Sequence, residues 1–381
     1  NGTLIIEDGK ITAVGTDISI PKGARIIDAR TKYVTPGIIS SNSTYGLSEG
    51  APSKFSSDDS ARGSGFTAAF QIKYALNSAS IVIHDGRRQG ITRALSAPSS
   101  SDDIFSGSSA FITMDNTQNM NFAEGPMHAN FSNVANRSVA WNRIRAIFDQ
   151  VLDYQRNQTR AMRGQSQKYL LSFADMQALI PVVNSDKKLV LEMGSEAEIR
   201  GAIALKNDYG LDLIIQGGQE AWKVGAELAA ADIAVIIDPE QNIFENVTMA
   251  GTSFANAARL EDAGVKFSFY HEGMGSLNAA NYILQFAGIA VAHGMSYDGA
   301  LRALTLNPAE MFGIDKVVGS LDVGKDADVV VWDADPLEVT SNTDHVIIRG
   351  VEYDLVSRRT MLRDRYLNLD RDEPFAKRYT H

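Results

Sequence analysis

Residues 189–239 read LVLEMGSEAEIRGAIALKNDYGLDLIIQGGQEAWKVGAELAAADIAVIIDP. Three short apolar runs, LVLEMG, LDLIIQGG and IAVIIDP, alternate with two stretches of helical spacing, Glu196 to Tyr209 and Glu220 to Ala231. Strands separated by a helix's worth of chain cannot close a tight hairpin, so they pair in parallel with right-handed crossovers. The stretch therefore predicts a parallel α/β sheet.

Outward from it the pattern continues. VKFSFYHEG, at Val265 to Gly273, is a further strand followed by the helical run ILQFAGIAVAHG. Ser296 is placed to cap a helix that ends at Gly313, with Asn307-Pro308 restarting a short turn within it. On the other side, Val139, Ile144, Ile147, Phe148, Val151 and Tyr154 recur at helical spacing within Val134 to Arg163, and Met176 to Val183 forms another helix. SIVI at Ser80 to Ile83 reads as a short strand, followed by HDGRRQG and the strand-like ITRALSAP. Ser48 to Ser64 and Ser99 to Gly107 are Ser/Asp/Gly-rich loops.

Both ends of the chain change period. Gly2 to Ile11 alternates around Asp8-Gly9, the signal of a tight type I′ hairpin, with a third strand expected at Ala24 to Ile27 before Pro36-Gly37 closes the segment. SLDVGKDADVVVWDADP, after Gly319, returns to strand alternation, and Val346 to Tyr353 is a hairpin around Arg349-Gly350. The order is β, then α/β, then β, which predicts that both termini build one small sheet unit beside a barrel.

The 381 residues include 44% hydrophobic and 22% charged side chains, so a large globular core is within reach. A net charge of -10 argues against general affinity for nucleic acid or an anionic membrane, and favours a small-molecule or protein partner. No apolar run is long enough for a membrane span. The absence of cysteine excludes disulfides, thiol nucleophiles and thiolate ligands. Gly217-Gly218 lacks the spacing of a phosphate-binding loop and reads as a tight turn.

GKITAVG, IIDARTKYVTPGII, LTLNPAEMFGI and GSLDVGKDADVVVWDADP together resemble the amidohydrolase superfamily. The resemblance implies a (β/α)8 barrel over residues 38–318 with a composite β-sandwich from 1–37 plus 319–381. GLDLIIQGGQEAWKVGAELAAADIAVII and VEYDLVSRRTMLRDRYLNL are similar to secreted, imidazolonepropionase-like members. With the start at Asn1 and the lack of cysteine, that likeness implies a periplasmic or secreted protein, the cytoplasm being the alternative, and a homo-oligomer.

Active members of that superfamily hold a divalent metal at the C-terminal mouth of the barrel. In this chain the pattern around Pro36 reads PGIISSNST, so the two first-strand histidine positions carry Asn42 and Thr44. The fifth-strand position falls near Glu192, the sixth near Gln216, and the eighth-strand carboxylate on His271 or Glu272. Amide and hydroxyl groups do not replace imidazole as strong ligands, so no metal and no cofactor is expected unless the site is rebuilt around an ion such as zinc. Glu192, His271 and Glu272 then form an acid/base set with Asp238 beside them, and Asn42, Thr44 and Gln216 serve binding. The plainer alternative is a set of strand-end polar groups facing solvated loops. Two functions stay open: a hydrolase of C–N bonds in a cyclic amide or small peptide-like substrate, or a non-catalytic binding or regulatory subunit.

Overall fold

The computed structural model describes residues 2–49, 57–117, 120–132, 134, 136–165, 168–242, 250–271 and 276–367. The chain begins with an antiparallel hairpin of β1 (Thr3–Glu7) and β2 (Lys10–Gly15). Asp8 and Gly9 both take positive φ, 50° and 78°, which is the I′ turn the Asp-Gly pair predicts. The next strand is β3 (Tyr33–Pro36) and not residues 24–27. Ile26 stands 68% exposed with no neighbouring strand to pair against, so alternation without a ladder forms no strand there.

Eight strands then form one sheet in chain order: β4 (Ile38–Ser43), β5 (Ile91–Ser96), β6 (Phe105–Thr113), β7 (Asn121–Ala129), β8 (Leu189–Met193), β9 (Leu213–Gly217), β10 (Ala234–Ile237) and β11 (Phe267–Phe269). Strand β11 returns beside β4, so the sheet is nearly closed into a barrel. The expected (β/α)8 pattern needs correction in one place: β6 is antiparallel to both β5 and β7. The links from Ser96 to Phe105 and from Thr113 to Asn121 are too short for crossover helices, so the chain makes a meander there. SIVI is corrected too. It opens helix α1 (Ile81–Arg88), which buries Val82 and Ile83 and lies between β4 and β5. A short apolar run does not by itself separate a strand from a buried helical turn.

The remaining crossovers follow the sequence. Helices α2 (Arg137–Met162) and α3 (Phe173–Val183) join β7 to β8, and α4 (Glu196–Tyr209) joins β8 to β9. Ser195 and Glu198 close a reciprocal capping box at the start of α4, and Gly210 ends it in the left-handed conformation. Short helices α5 (Gly225–Ala230) and α6 (Asn256–Asp262) precede β10 and β11, and α7 (Ser276–Ala292), α8 (Tyr297–Leu304) and α9 (Leu306–Met311) follow. Ser296 caps α8 by accepting from the Gly299 N–H at 2.9 Å, as its position in the sequence predicts. The chain ends in β12 (Val329–Trp332), β13 (Thr343–Ile348), β14 (Val351–Tyr353) and α10 (Arg358–Leu367). These last strands take β3 as their edge neighbour, in the order β14-β13-β12-β3, so N- and C-terminal segments share one sheet.

Side chains on the barrel's inner face form their own cluster: Ile39, Leu95, Phe111, Val190, Ile214 and Ile236 from six strands, and Tyr270 just past β11. Ala309, Met311, Phe312 and Ile314 of α9 and the turn after it close the N-terminal end beneath them, with Phe312 edge-on to Phe111 at 5.2 Å. Asn307 Nδ2 donates to the Phe267 carbonyl at 2.9 Å and fixes α9 to the start of β11.

The terminal segments are held to the barrel by charge. Arg93, on β5 and 1% exposed, donates from Nε to Asp328 Oδ2 at 2.6 Å and from Nη2 to Asp326 Oδ2 at 2.7 Å. Lys10 of β2 donates to the other oxygen of Asp326 at 2.6 Å, and Asp328 Oδ1 also accepts the Arg349 N–H at 3.0 Å. Burial opposes the Arg93 charge, but the two aspartates more than offset it and hold the guanidinium above its ordinary pKa. Removing one partner of such a cluster leaves the others buried and uncompensated. Arg93→Leu is expected to lower unfolding stability by about 3–5 kcal/mol. Arg93→Lys, which keeps the charge but not the fork, should cost less. Urea unfolding followed by circular dichroism checks the order of the two losses.

Candidate metal centre and barrel-mouth cavity

The parallel pairing fixes which side chains share the inner face. Glu192 of β8 stands opposite Gln216 of β9, Gln216 opposite Ile236 of β10, and Ile236 opposite Ser268 of β11. Ile236 belongs to the inner cluster, so the whole row Glu192–Gln216–Ile236–Ser268 faces the barrel interior. The row is polar near the C-terminal ends, where Glu192 is exposed and Gln216 is 7% exposed. Gln216 Oε1 and Ser268 Oγ are buried with no hydrogen-bond partner among the described residues.

Just beyond these strand ends the chain converges. Asp238 follows β10 and His271 follows Tyr270 at the end of β11. His271 Nδ1 lies 3.1 Å from Asp238 Oδ2 and 3.3 Å from Glu240 Oε2, and one ligand atom from each residue falls within 4.8 Å of the other two. The His271 and Asp238 side chains are 4% and 1% exposed, whereas Glu240 is half open. Asp238 Oδ1 accepts the Glu240 N–H at 2.9 Å, which holds the loop that carries the second carboxylate. The His271 ring packs on Phe286, with centroids 4.7 Å apart.

These separations suit a cation as well as a hydrogen bond. Ligands at about 2.0–2.2 Å from a tetrahedral ion lie about 3.3–3.6 Å from one another, and one imidazole with two carboxylates is a donor set of zinc-like ions. The expectation of no metal is therefore corrected. It rested on Asn42, Thr44, Glu192 and Gln216 at the ligand positions, and it missed that strands seven and eight of the barrel supply a separate donor set. Glu240 was overlooked because a carboxylate two residues past Asp238 becomes a partner for His271 only when β10 and β11 lie side by side.

Glu192 and Gln216 line a cavity of about 300 Å³ whose wall includes Asn130, Arg137, Glu198 and Tyr270. Asn42 lies near the end of β4, just before Ser43, and Thr44 just past the strand; both are half-buried at the same end of the barrel and outside the lining of this cavity. Ser43, between them, donates to the Leu95 carbonyl at 3.0 Å and ties this stretch to β5. Glu272 lies outside the described residues. His84, which the sequence places at a strand end, sits in α1, with Arg87 Nη2 2.9 Å from its Nδ1 and Asn116 Nδ2 3.0 Å from its Nε2.

Residues 220–353 match the family described as Amidohydrolase family. Over 74 residues the chain is 39% identical to the amidohydrolase TasK of Hapsidospora irregularis, covering 19% of this chain and 7% of that protein. Over 42 residues it is 55% identical to mouse N-acetylglucosamine-6-phosphate deacetylase, covering 11% of this chain and 10% of the enzyme. The chain thus matches a tenth or less of the length of these curated relatives. Among solved structures, an amidohydrolase from Thermotoga maritima superposes with a TM-score of 0.81 over 92% of this chain and 94% of that one, at 22% identity. A prolidase complexed with N-methylphosphonate-L-proline gives a TM-score of 0.55 with the same coverage at 15% identity. At these identities the structural likeness is one of fold, a barrel of the amidohydrolase type. The sequence match to the amidohydrolase family lies over residues 220–353, and the fold around it is shared with the Thermotoga maritima protein.

One titrating group in the barrel wall is set by burial. His128, on β7, accepts or donates one bond with Ser109 Oγ at 3.0 Å. Burial, reinforced by the nearby Lys187 charge, pushes its pKa down from 6.5 to about 3. The unfolded chain takes up this proton near pH 6.5 and the folded one only near pH 3, so the folded state loses stability as pH falls through that window, by up to about 1.4 kcal/mol per unit. His128→Gln is expected to flatten the loss of stability between pH 6 and pH 4 (about the middle of the window). Urea midpoints across that range check it.

Proposed function

We propose that this chain is a metal-dependent hydrolase of carbon–nitrogen bonds in small amide or peptide-like substrates, within the imidazolonepropionase-like part of the amidohydrolase superfamily. The convergence of Asp238, Glu240 and His271 at the barrel mouth carries the reading. A divalent ion held by these three residues would supply Lewis acidity at the bond to be cleaved. Phe286 walls one side of the His271 ring, so the imidazole is oriented before substrate arrives. Glu192 opens on the cavity and is placed to move a proton between water and the departing nitrogen. Gln216 offers its carboxamide to the substrate, and Asn42 and Thr44 add polar groups on the β4 side of the mouth.

The second reading, a binding or regulatory subunit without catalysis, draws on the amide and hydroxyl of Asn42 and Thr44 at the first-strand positions. We place the protein in the periplasm or outside the cell, as a homo-oligomer; its lack of cysteine is compatible with that setting.

Metal analysis of the purified protein after dialysis separates the two. About one zinc, manganese or iron per chain is expected to remain, and Asp238→Asn and His271→Ala are each expected to weaken retention by about tenfold or more. Hydrolysis of an amide panel should fall with the metal. A chain that holds no ion and cleaves none of the panel would sink the hydrolase.

A further inference from the structure

Two helices point their N-termini at the cavity, and their first turns differ in charge. Helix α4 begins with Glu196 and Glu198, and two of its first N–H groups are engaged: Ser195 Oγ accepts from Glu198, and Glu220 Oε2 accepts the Glu196 N–H at 2.8 Å. Helix α2 has no acidic residue in its first turn, and Asn136 caps it by accepting the Val139 N–H at 3.0 Å. It opens instead on Arg137, a cation at the end of the helix where the backbone dipole disfavours one. The guanidinium lines the cavity and comes no nearer than 3.9 Å to its ion-pair neighbour Glu198, whose other oxygen is committed to the capping box. Positive potential from the helix end and from Arg137 therefore adds up at one side of the cavity.

An independent observation lies across from it. Gln216, more than nine-tenths buried on the inner face of β9, lines the same cavity while its Oε1 has no hydrogen-bond partner among the described residues. An unpaired buried carbonyl carries a desolvation penalty, which a ligand N–H offsets on binding. The cavity, about 300 Å³, is of a size for a molecule of modest bulk.

We infer that the cavity recognises a small secondary amide bearing a carboxylate, with the carboxylate at Arg137 and the N-terminus of α2 and the amide N–H donated to Gln216 Oε1. The inference rests on the hydrolase reading for its biological sense, but recognition itself needs no turnover. An N-acylated amino acid has both groups in one molecule. A tertiary amide lacks the donor, and an uncharged amide lacks the anion, so each leaves one partner unmet. Arg137 and Gln216 are specificity residues, and the chemistry they govern is selection among amides.

Titration calorimetry tests this with N-acetyl-L-alanine, N-acetyl-L-alaninamide and N-acetyl-N-methyl-L-alanine, on protein treated with EDTA and again with zinc added. N-acetyl-L-alanine is expected to bind at least tenfold more tightly than either analogue, about 1.4 kcal/mol for each missing group. Arg137→Gln should abolish only the preference over the uncharged amide, and Gln216→Met only the preference over the N-methyl compound. Failure of N-acetyl-L-alanine to bind under both conditions overturns the proposal, as do preferences that survive both substitutions. Arg137 is exposed, so its variant keeps the test decisive if Gln216→Met fails to fold. A protein that discriminates but hydrolyses nothing would remove the hydrolase and keep this site; one that hydrolyses amides without discriminating would do the reverse.

Discussion

The buried cluster of Arg93 with Asp326 and Asp328 is the constraint around which the rest of the fold is arranged. A guanidinium 1% exposed inside a protein has a large desolvation cost, which only close, fully hydrogen-bonded counter-charges offset. Both aspartates come from the segment that leads into β12, and Lys10 reaches Asp326 from β2. Three distant parts of the chain thus have to meet for any one of them to be satisfied. The apolar closure by Phe312 and its neighbours lies at the same N-terminal end, so this end of the barrel is sealed and rigid.

The opposite end has the reverse character. Above the apolar layer the inner face turns polar, and buried oxygen atoms on Gln216 and Ser268 stand without partners among the described residues. Native interiors rarely leave such groups unmet without a functional reason. Stability is concentrated below and chemical opportunity above, in keeping with the division of roles between the two ends of such barrels.

Much of this was legible in the chain. The strand–helix alternation from Leu189 to Ile237 predicted four elements at nearly their observed limits, because helix α4 has both a capping box and a left-handed glycine to mark its ends. The two hairpin turns at Asp8-Gly9 and Arg349-Gly350 were equally plain, since positive φ at paired positions is demanded by the twist of the strands. Short apolar runs without a partner are ambiguous: Ser80 to Ile83 predicts a strand where α1 begins, and Ala24 to Ile27 a strand where none forms. At the site, individual positions such as Glu192, Gln216, Asp238 and His271 could be assigned to strand ends from the order of strands. Their grouping could not, because whether Glu240 meets His271 depends on the spacing between two neighbouring strands and on a loop's path, neither of which leaves a periodic trace.

The antiparallel strand β6 bears on the order in which the barrel can assemble. Within the β5–β6–β7 meander, neighbours in space are neighbours along the chain, so its loops close at small entropic cost. The bonds from Arg93 to Asp328 span 235 residues. Contacts of such separation form slowly, and a chain emerging from synthesis has no counter-charge for Arg93 until its last strands are made. The meander offers a local start and the aspartates a later lock, so the barrel's completion waits for the segment that carries Asp326 and Asp328.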